Sequence, residues 1–340
     1  MTKILNHINT YADLTAYNND MSKDFPNISY IQGTDEVKWN KYDPDHIVAV
    51  YNVTSTSNAT KLLNKDSGIT YQIIDGVKQD AVQTSYTFDT LGEHTVKYKL
   101  SGTSINSNQA LFYMCPNLVS VVIPETITSI DGPLFGSSSN LTNVVLPKTL
   151  TFIGERVFGY CSKLKTISIP DSVTSIGQEA FDACIGLTSI DIPSGVTSIG
   201  NYVFSSCTSL TRLNSDVDGL FNIPDNVTSI GNNAFSGCYG LTSVTIPDSV
   251  TSIGDNAFAN LINFRGNLVL PSTLATLGNT VFNNMRNATG ITFLSTTPPT
   301  AGTNLFINST CPIYVPAESV EAFKTATNWS TYASRIQAIS

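Results

Sequence analysis

The stretch LTSVTIPDSVTSIGDNAFANLIN, residues 241–263, decides the fold because similar stretches precede it at a regular spacing. A unit of 31 residues begins at Leu210, two more degenerate units of 24 residues begin at Phe264 and Ala288, and a half-unit begins at Thr103. Further units of 23 residues begin at positions 118, 141, 164 and 187. Self-similarity at a period of roughly 20–50 residues indicates a stacked repeat architecture.

The first half of each unit predicts a strand. The pattern L-x-x-V-x-I-P alternates apolar and polar residues, so Leu241, Val244 and Ile246 are expected to face inward. Pro247 lacks an N–H group and ends the strand at the same place in each unit. The same proline recurs at positions 124, 147, 170, 193, 224, 247 and 271.

The second half of each unit predicts another extended segment and a corner. V-T-S-I-G is expected to be extended and to end at a glycine in a tight corner. A-F-x-x-C then predicts one short helical turn, with Phe258 in the core. The phenylalanine recurs at positions 112, 135, 158, 181, 204, 235, 258, 282 and 306. One unit cannot bury its apolar face alone, so the units are predicted to stack into a solenoid with a parallel β-sheet.

These residues resemble a known family of repeats. LTSVTIPDSVTSIGDNAF, from Leu241, resembles the bacterial leucine-rich repeat of the BspA-like, or Treponema-type, class. The resemblance covers residues 103 to about 315 and implies a right-handed solenoid that binds or adheres, usually at a bacterial surface. It implies no enzymatic activity. Three positions depart from the pattern, since Asp131 replaces the corner glycine and Ser138 and Leu261 replace the cysteine.

The flanking segments lack the repeat. Residues 1–45 predict a short helix followed by strands, and residues 46–102 predict a small β-sandwich-like module with a hairpin turn at Asp75-Gly76. SYTFDTLGEHTVKYKL, residues 85–100, resembles the closing strands of small immunoglobulin-like modules of bacterial surface proteins. The solenoid is assigned to residues 103–315. Residues 316–340 predict a helical cap that seals its last turn with Phe323 and Trp329.

Composition excludes several classes of function. Charged residues are 13% of the 340-residue chain, and 18 Lys and Arg against 26 Asp and Glu leave a net charge of −8. A nucleic-acid-binding protein needs a basic face, so no nucleic-acid partner is expected. No apolar stretch is long enough to cross a bilayer, and membrane insertion is not expected either. The N-terminus as written has no apolar segment typical of a secretion signal.

The cysteines recur in one slot. Five of the six, at positions 115, 161, 184, 207 and 238, follow the repeat phenylalanine by three residues. A ladder of disulfides or metal ligands is one interpretation, but a straight row of side chains cannot provide tetrahedral zinc geometry. Because Ser138 and Leu261 occupy the same slot, the sequence favours small, reduced, buried side chains.

One insertion carries a possible metal motif. In NSDVDGLFNIPD, Asn214, Asp216, Asp218 and Asp225 match ligand positions of an EF-hand calcium loop. However, Asp replaces the final Glu, Pro224 stiffens the end and no helices flank the loop. A polar surface turn is the favoured interpretation, and the chain is expected to hold no cofactor.

Candidate contact residues are few. Tyr160, Tyr202 and Tyr239 recur near the Phe-x-x-Cys turn and are candidates for ligand contact, although packing between turns would also explain them. The three histidines, His7, His46 and His94, precede the array, and none has a partner at a catalytic spacing.

The sequence therefore predicts a non-enzymatic binding or adhesion protein at a bacterial or virion surface. A host or cell-surface protein or a glycan is its expected partner. The alternative is a structural component of a phage tail or another extracellular appendage, which the missing secretion signal favours. An enzyme ranks third, because the titratable residues are sparse and scattered.

Overall fold

The repeats stack turn upon turn into a parallel β-solenoid, as the sequence predicts. The computed structural model describes residue 43 and residues 45–214 and 221–339. Apart from residues 43 and 45, the predicted helix and strands of segment 1–45 lie outside the described residues. Residues 45–340 make up one compact unit.

Within the described residues, six strands precede the array. They are β1 (His46–Val53), β2 (Thr60–Lys61), β3 (Ile69–Ile74), β4 (Val77–Lys78), β5 (Ser85–Tyr86) and β6 (Gly92–Leu100). The strands of the array and its cap are β7 (Ser104–Ile105), β8 (Leu118–Val122), β9 (Ser129–Ile130), β10 (Asn143–Val145), β11 (Phe152–Ile153), β12 (Ser175–Ile176), β13 (Ser189–Ile190), β14 (Ser198–Ile199), β15 (Arg212–Leu213), β16 (Ser229–Ile230), β17 (Ser252–Ile253), β18 (Asn267–Leu270), β19 (Thr276–Leu277), β20 (Gly290–Phe293), β21 (Thr300–Ala301), β22 (Ile313–Val315) and β23 (Ile336–Ala338).

The array strands form two faces of the solenoid. The leucine face consists of the strands from the L-x-x-V-x-I-P segments and the cap, β8, β10, β13, β15, β18, β20, β22 and β23. The serine face consists of the strands from the V-T-S-I segments, β7, β9, β11, β12, β14, β16, β17, β19 and β21. Pairing between turns is parallel and in register, so Ser229 lies beside Ser252 and Ile230 beside Ile253.

The strands before the array continue its sheet. Strand β1 is antiparallel to both β6 and β8, so that Ala49 lies between Val96 and Val121 in the order β10-β8-β1-β6-β3-β4. The Tyr98 and Phe112 rings meet edge to face with centroids 5.5 Å apart. The apolar core therefore runs without a break into the first turn of the solenoid. The immunoglobulin-like character of residues 46–102 and the domain boundaries stay predictions.

A column of phenylalanines fills the centre of the solenoid. From Phe112 to Phe258, consecutive rings stack with centroids 5.2–5.7 Å apart and planes inclined by 7–14°. All of these rings are buried. Each aromatic pair adds about 0.5–1.5 kcal/mol beyond the burial of its area, so the column holds neighbouring turns together.

The third side of each turn, which we name the turn edge, runs from the corner glycine to the cysteine slot. In residues 177–184 it consists of hydrogen-bonded turns rather than a regular helix, with Glu179 and Ala183 at φ of 57° and 53°. The Phe181 N–H group donates to the Val203 carbonyl oxygen in the next turn, at 3.0 Å. Two left-handed residues per unit thus replace the helical turn that A-F-x-x-C predicts.

The C-terminal cap is helical, as predicted. It contains the 3-10 helix Ala317–Ser319, helix α1 (Val320–Thr325) and the 3-10 helix Ser330–Arg335. Phe323 and Trp329 are fully buried, and the Trp329 Nε1–H group donates to the Pro299 carbonyl oxygen at 2.9 Å. The two rings therefore cover the apolar end of the array.

Candidate functional site

A groove runs along the serine face. Four successive turns line it with the equivalent residues Ser198, Ser229, Ser252 and Thr276 and with their corner glycines. Serine, threonine and glycine leave space above the sheet because their side chains are small or absent. None of the described residues that line the groove is charged.

A ladder of side chains fixes one border of this groove. The Asn201 Oδ1 atom accepts the Asn232 N–H group, and the Asn232 Oδ1 atom accepts the Asp255 N–H group, both at 2.8 Å. The ladder continues in the same way, because the Asp255 Oδ1 atom accepts the Asn279 N–H group at 2.7 Å. The Asn279 Oδ1 atom accepts a backbone N–H group of the following turn at 2.8 Å. Because each turn positions the next, the groove has a rigid backbone border. These residues belong to no known motif, although their recurrence after the corner glycine is visible in the repeat.

The corner glycine is required by close packing between turns. A Cβ atom on Gly254 would lie 2.7 Å from the Asn232 nitrogen and 2.8 Å from the Gly231 carbonyl carbon. Real Cβ atoms do not approach backbone so closely, so a larger residue would push the turns apart. The repeat pattern predicts a tight corner at this glycine, and the structure identifies the close approach of neighbouring turns as the reason for it.

The three candidate tyrosines are exposed but do not form one site. Tyr160 is 57% exposed, Tyr202 40% and Tyr239 41%. They occupy three different slots of the repeat: Tyr160 follows a core phenylalanine by two residues, Tyr202 follows a corner glycine by two, and Tyr239 follows a cysteine by one. Their role in ligand contact stays a prediction.

Tyr160 belongs to a cluster of charged side chains that the sequence pattern did not predict. The Arg156 guanidinium forms ion pairs with Glu179 in the next turn, with Nη2 2.9 Å from Oε1, and with Glu155, with Nη1 3.2 Å from Oε1. The Tyr160 N–H group donates to the Asp182 carbonyl oxygen at 2.7 Å, and the Asp182 carboxylate interacts electrostatically with the Tyr160 hydroxyl. We name Glu155, Arg156, Tyr160, Glu179 and Asp182 the turn-edge cluster. Apart from the neighbours Glu155 and Arg156, its partners lie about one repeat apart in the chain, so no local motif reveals them.

The electrostatics of the turn-edge cluster follow from these contacts. The hydrogen bond from Arg156 lowers the pKa of Glu179, so this carboxylate is charged at neutral pH. The negative charge of Asp182 raises the pKa of the Tyr160 hydroxyl, which therefore stays protonated and remains a donor. Burial raises the pKa of Asp182, while hydrogen bonds from Ser205 and Tyr160 oppose this shift.

Part of the insertion belongs to the sheet and the core of the solenoid. Leu213 forms a parallel β-bridge with Phe221, and Asn222 forms one with Thr245. The 31-residue unit therefore contributes two rungs to the leucine face, one more than a 23-residue unit. Phe221 is buried, and its ring meets Phe235 edge to face at 5.1 Å. The interpretation of the insertion as a polar surface turn is therefore wrong at its C-terminal end, because Phe221 adds to the core.

The candidate metal ligands are not brought together within the described residues. The Asn214 Oδ1 atom accepts the Ile192 N–H group at 3.0 Å, and its Nδ2 group donates to the Ile192 carbonyl oxygen at 2.8 Å. Asp225 is exposed in the slot after the repeat proline, and Asp216 and Asp218 lie outside the described residues. No cluster of three or more His, Cys, Asp or Glu suited to a metal occurs in the part of the chain that the structure describes.

The cysteines are free and buried, as predicted, and they also donate hydrogen bonds. The Cys184 and Cys207 Sγ atoms lie 3.0 and 3.2 Å from the carbonyl oxygens of Phe158 and Phe181. Ser138 makes the equivalent contact to the Phe112 carbonyl oxygen at 2.6 Å. Serine therefore replaces cysteine in this slot because both are small donors.

Before the array, a histidine, a carboxylate and a hydroxyl meet. The His94 Nδ1 atom lies 2.6 Å from Asp75 Oδ2, and its Nε2 atom lies 3.3 Å from Thr90 Oγ1. The same Nε2 atom is closer, at 3.0 Å, to the Thr90 carbonyl oxygen, which can only accept a hydrogen bond. A nitrogen that donates to this carbonyl cannot take a proton from the hydroxyl. The arrangement therefore ties the 90–94 loop to the Asp75 hairpin.

The parallel rungs and the recurring leucine, phenylalanine and cysteine slots define a leucine-rich repeat solenoid. The family model described as BspA type Leucine rich repeat region matches residues 87–218 and 219–331, with six copies. The chain belongs to this family, and leucine-rich repeat proteins are typically non-enzymatic binding scaffolds. No curated protein matches the chain.

The chain is similar to several solved structures, of which a leucine-rich repeat protein shares its fold with a TM-score above 0.5. A leucine-rich repeat protein from Bacteroides ovatus is 24% identical with a TM-score of 0.51, over 67% of this chain and 61% of that one. The chain thus spans about three fifths of the length of that relative. A Treponema pallidum leucine-rich repeat protein is 25% identical with a TM-score of 0.32, over 46% and 74% of the two chains. The pneumococcal vaccine antigen PcpA is 16% identical with a TM-score of 0.38, over 65% and 66%.

Proposed function

We propose that the chain is a non-enzymatic binding or adhesion protein that recognises its partner with the solenoid. The observation that carries this proposal is the groove of the serine face, which is continuous over four turns, uncharged and bordered by a fixed backbone. A rigid surface loses little conformational entropy when it binds, which favours recognition.

The partner is a protein or glycan outside the cell, and the site of action is a cell surface or the extracellular space. Membership of the BspA-type family supports this location. Within the described residues, no helix has the length and apolar character needed to cross a membrane. The second function derived from the sequence, a structural part of a phage tail or another appendage, stays a prediction.

The test uses the full chain on a printed glycan array and on an array of extracellular proteins. Ser229→Arg and Ser252→Arg place long charged side chains in the groove, and Thr242→Arg places the same side chain on the exposed leucine face as the matched control. Binding that the groove variants lose and the control keeps would support the proposal. Binding that all three variants keep, or no binding by the wild type, would contradict it.

A further inference from the structure

The middle of the leucine face contains one more rung than the number of repeat units requires. Strand β13 pairs with β15, and Leu213 at the end of β15 bridges Phe221. Asn222 in turn bridges Thr245 of the next unit. Three strand spacings therefore separate β13 from Thr245, although these segments lie only two units apart. We name Phe221 and Asn222 the added rung.

The other two sides of the solenoid keep one strand spacing per unit here. On the serine face, Ser198 pairs with Ser229 and Ser229 with Ser252, which makes two spacings over the same units. On the turn edge, the Tyr202 N–H group donates to the Asn232 carbonyl oxygen of the next unit at 2.8 Å. The leucine face is therefore longer than both other sides by one strand spacing of about 4.8 Å.

The core is packed across the added rung. The rings of Phe204 and Phe235 stack over this interval with centroids 5.6 Å apart, as closely as elsewhere in the column. The Phe221 side chain points from the leucine face towards this column, where it is buried and meets the Phe235 ring edge to face at 5.1 Å. The added rung is therefore a filled wedge between the phenylalanine column and the leucine face.

A wedge on one side of a stack bends the stack away from that side. Packed sheets lie about 10 Å apart, so one extra spacing of about 4.8 Å tilts the turns after the wedge by about 25° against those before it. This bend makes the leucine face convex and the serine face concave. The groove lies at the bend, because its first three turns, those of Ser198, Ser229 and Ser252, belong to the units over which the leucine face is longer.

We propose that the added rung sets the curvature of the solenoid and thereby shapes the serine-face groove into a concave binding surface. Repeat proteins bind with the concave surfaces that the curvature of a solenoid creates. Serine recurs on the serine face of earlier turns, at Ser129 and Ser175, whereas among the described residues only the unit from Leu210 carries an added rung. The inference rests on the proposed function for its role in binding, but the bend itself can be measured without a partner.

Two pairs of spin labels measure the bend in the full chain. The native cysteines are buried, so the labels react with cysteines introduced at exposed threonines. Thr142→Cys with Thr242→Cys labels the leucine face, and Thr151→Cys with Thr251→Cys labels the serine face over the same number of units. Because the first pair spans the added rung, we expect distances of about 24 Å on the leucine face and about 19 Å on the serine face.

Deletion of residues 214–221 merges the added rung with β15. The leucine face then loses one spacing and the serine face loses none, so both distances should be about 19 Å. Phe221→Leu keeps the rung and an apolar side chain and is the matched control, with distances as in the wild type. Circular dichroism and thermal melts verify folding, and the two wild-type distances test the bend even if the deletion variant does not fold.

The binding test uses the array component that the wild type retains and that Ser229→Arg and Ser252→Arg lose. We expect the deletion variant to bind it about tenfold or more weakly, with Phe221→Leu unchanged, because a straightened groove is no longer preorganised for its partner. Equal distances on the two faces of the wild type would overturn the inference. Unchanged affinity in the deletion variant would also overturn it while leaving the proposed function intact. A chain that binds no array component would contradict the proposed function, and the distances would still decide the bend.

Discussion

The Sγ atom of Cys184 lies 3.0 Å from the carbonyl oxygen of Phe158, 26 residues earlier in the chain and one turn below it in the solenoid. The thiol is buried, and the oxygen that it faces can only accept a hydrogen bond. This geometry makes the cysteine slot a hydrogen-bond donor position and not simply a small apolar one. The stability of a variant in this slot should therefore depend on whether the new side chain can donate a hydrogen bond as well as on its volume.

We therefore expect Cys184→Ser to be less destabilising than Cys184→Ala. Serine keeps the donor to Phe158, whereas alanine removes it and leaves a small void, which together cost about 1–2 kcal/mol. Urea unfolding of the two variants beside the wild type measures the difference. If alanine proved the better replacement, the slot would be apolar in character and the hydrogen bond would contribute nothing.

Alkaline pH should destabilise the protein through its buried thiols. Burial raises the pKa of Cys184 from its usual value of 9.0 to about 12, and that of Cys238 likewise to about 12. The stability that each protonated thiol contributes is complete below pH 9 and is lost as the pH rises from 9 towards 12, because the unfolded chain ionises first. The free energy of unfolding should fall by about 1.4 kcal/mol per pH unit for each such thiol.

The variant Cys184→Ser isolates one thiol from the other groups that titrate in this range. Its free energy of unfolding, measured from about pH 8 to about pH 10.5, should fall less steeply than that of the wild type by about 1.4 kcal/mol per pH unit above pH 9. Parallel pH profiles for the two proteins would show that Cys184 ionises equally well in the folded state.

Phe181→Ala should destabilise the solenoid by about 3–5 kcal/mol, as for buried aromatic residues generally. The ring is fully buried between Phe158 and Phe204, with centroid distances of 5.2 and 5.7 Å, so alanine leaves a cavity at the centre of the column. Denaturant unfolding gives the value, and the exposed Tyr202→Ala is a surface control. A loss below about 1 kcal/mol would contradict the stacked arrangement.

Deletion of residues 214–221 should leave the solenoid folded. The deletion joins Leu213 to Asn222 and restores a 23-residue unit of the form L-x-x-L-x-I-P, while the two rungs of this unit become one. Phe221→Ala, by contrast, keeps the rung but empties its place against Phe235, and we expect it to be the more destabilising change. Circular dichroism and thermal melts compare the two, and an unfolded deletion variant would show that the extra rung is indispensable.

The insertion should not bind calcium more tightly than millimolar. Calcium takes about six to eight oxygen ligands, and the Asn214 side chain already pairs with the backbone of Ile192. Titration calorimetry of the full chain with calcium chloride tests this. A micromolar affinity that disappears in the double variant Asp216→Ala, Asp218→Ala would make the insertion a metal site.

The sequence alone determined the core of this protein. Every unit presents leucine, isoleucine and phenylalanine at the same spacing, and burial of each such set needs the next unit above it, so the pattern already implied stacking. Ile253, Phe258 and Leu241 are all buried as the spacing predicts. Trp329 could likewise be assigned to the cap, because an apolar residue just after the last repeat has the open end of the array to cover.

Only the tertiary structure decided which side chains meet between turns. The Arg156–Glu179 pair and the Cys184–Phe158 hydrogen bond join residues 23 and 26 positions apart, and their geometry depends on how the turns are offset and where each side chain points. The conformation of the turn edge was beyond the sequence for the same reason, since its left-handed residues are held by hydrogen bonds to the following turn. The repeat pattern shows which side chains each unit buries. Contacts between side chains on the surface depend on how whole turns pack along the solenoid axis, and the sequence of one unit does not define that packing.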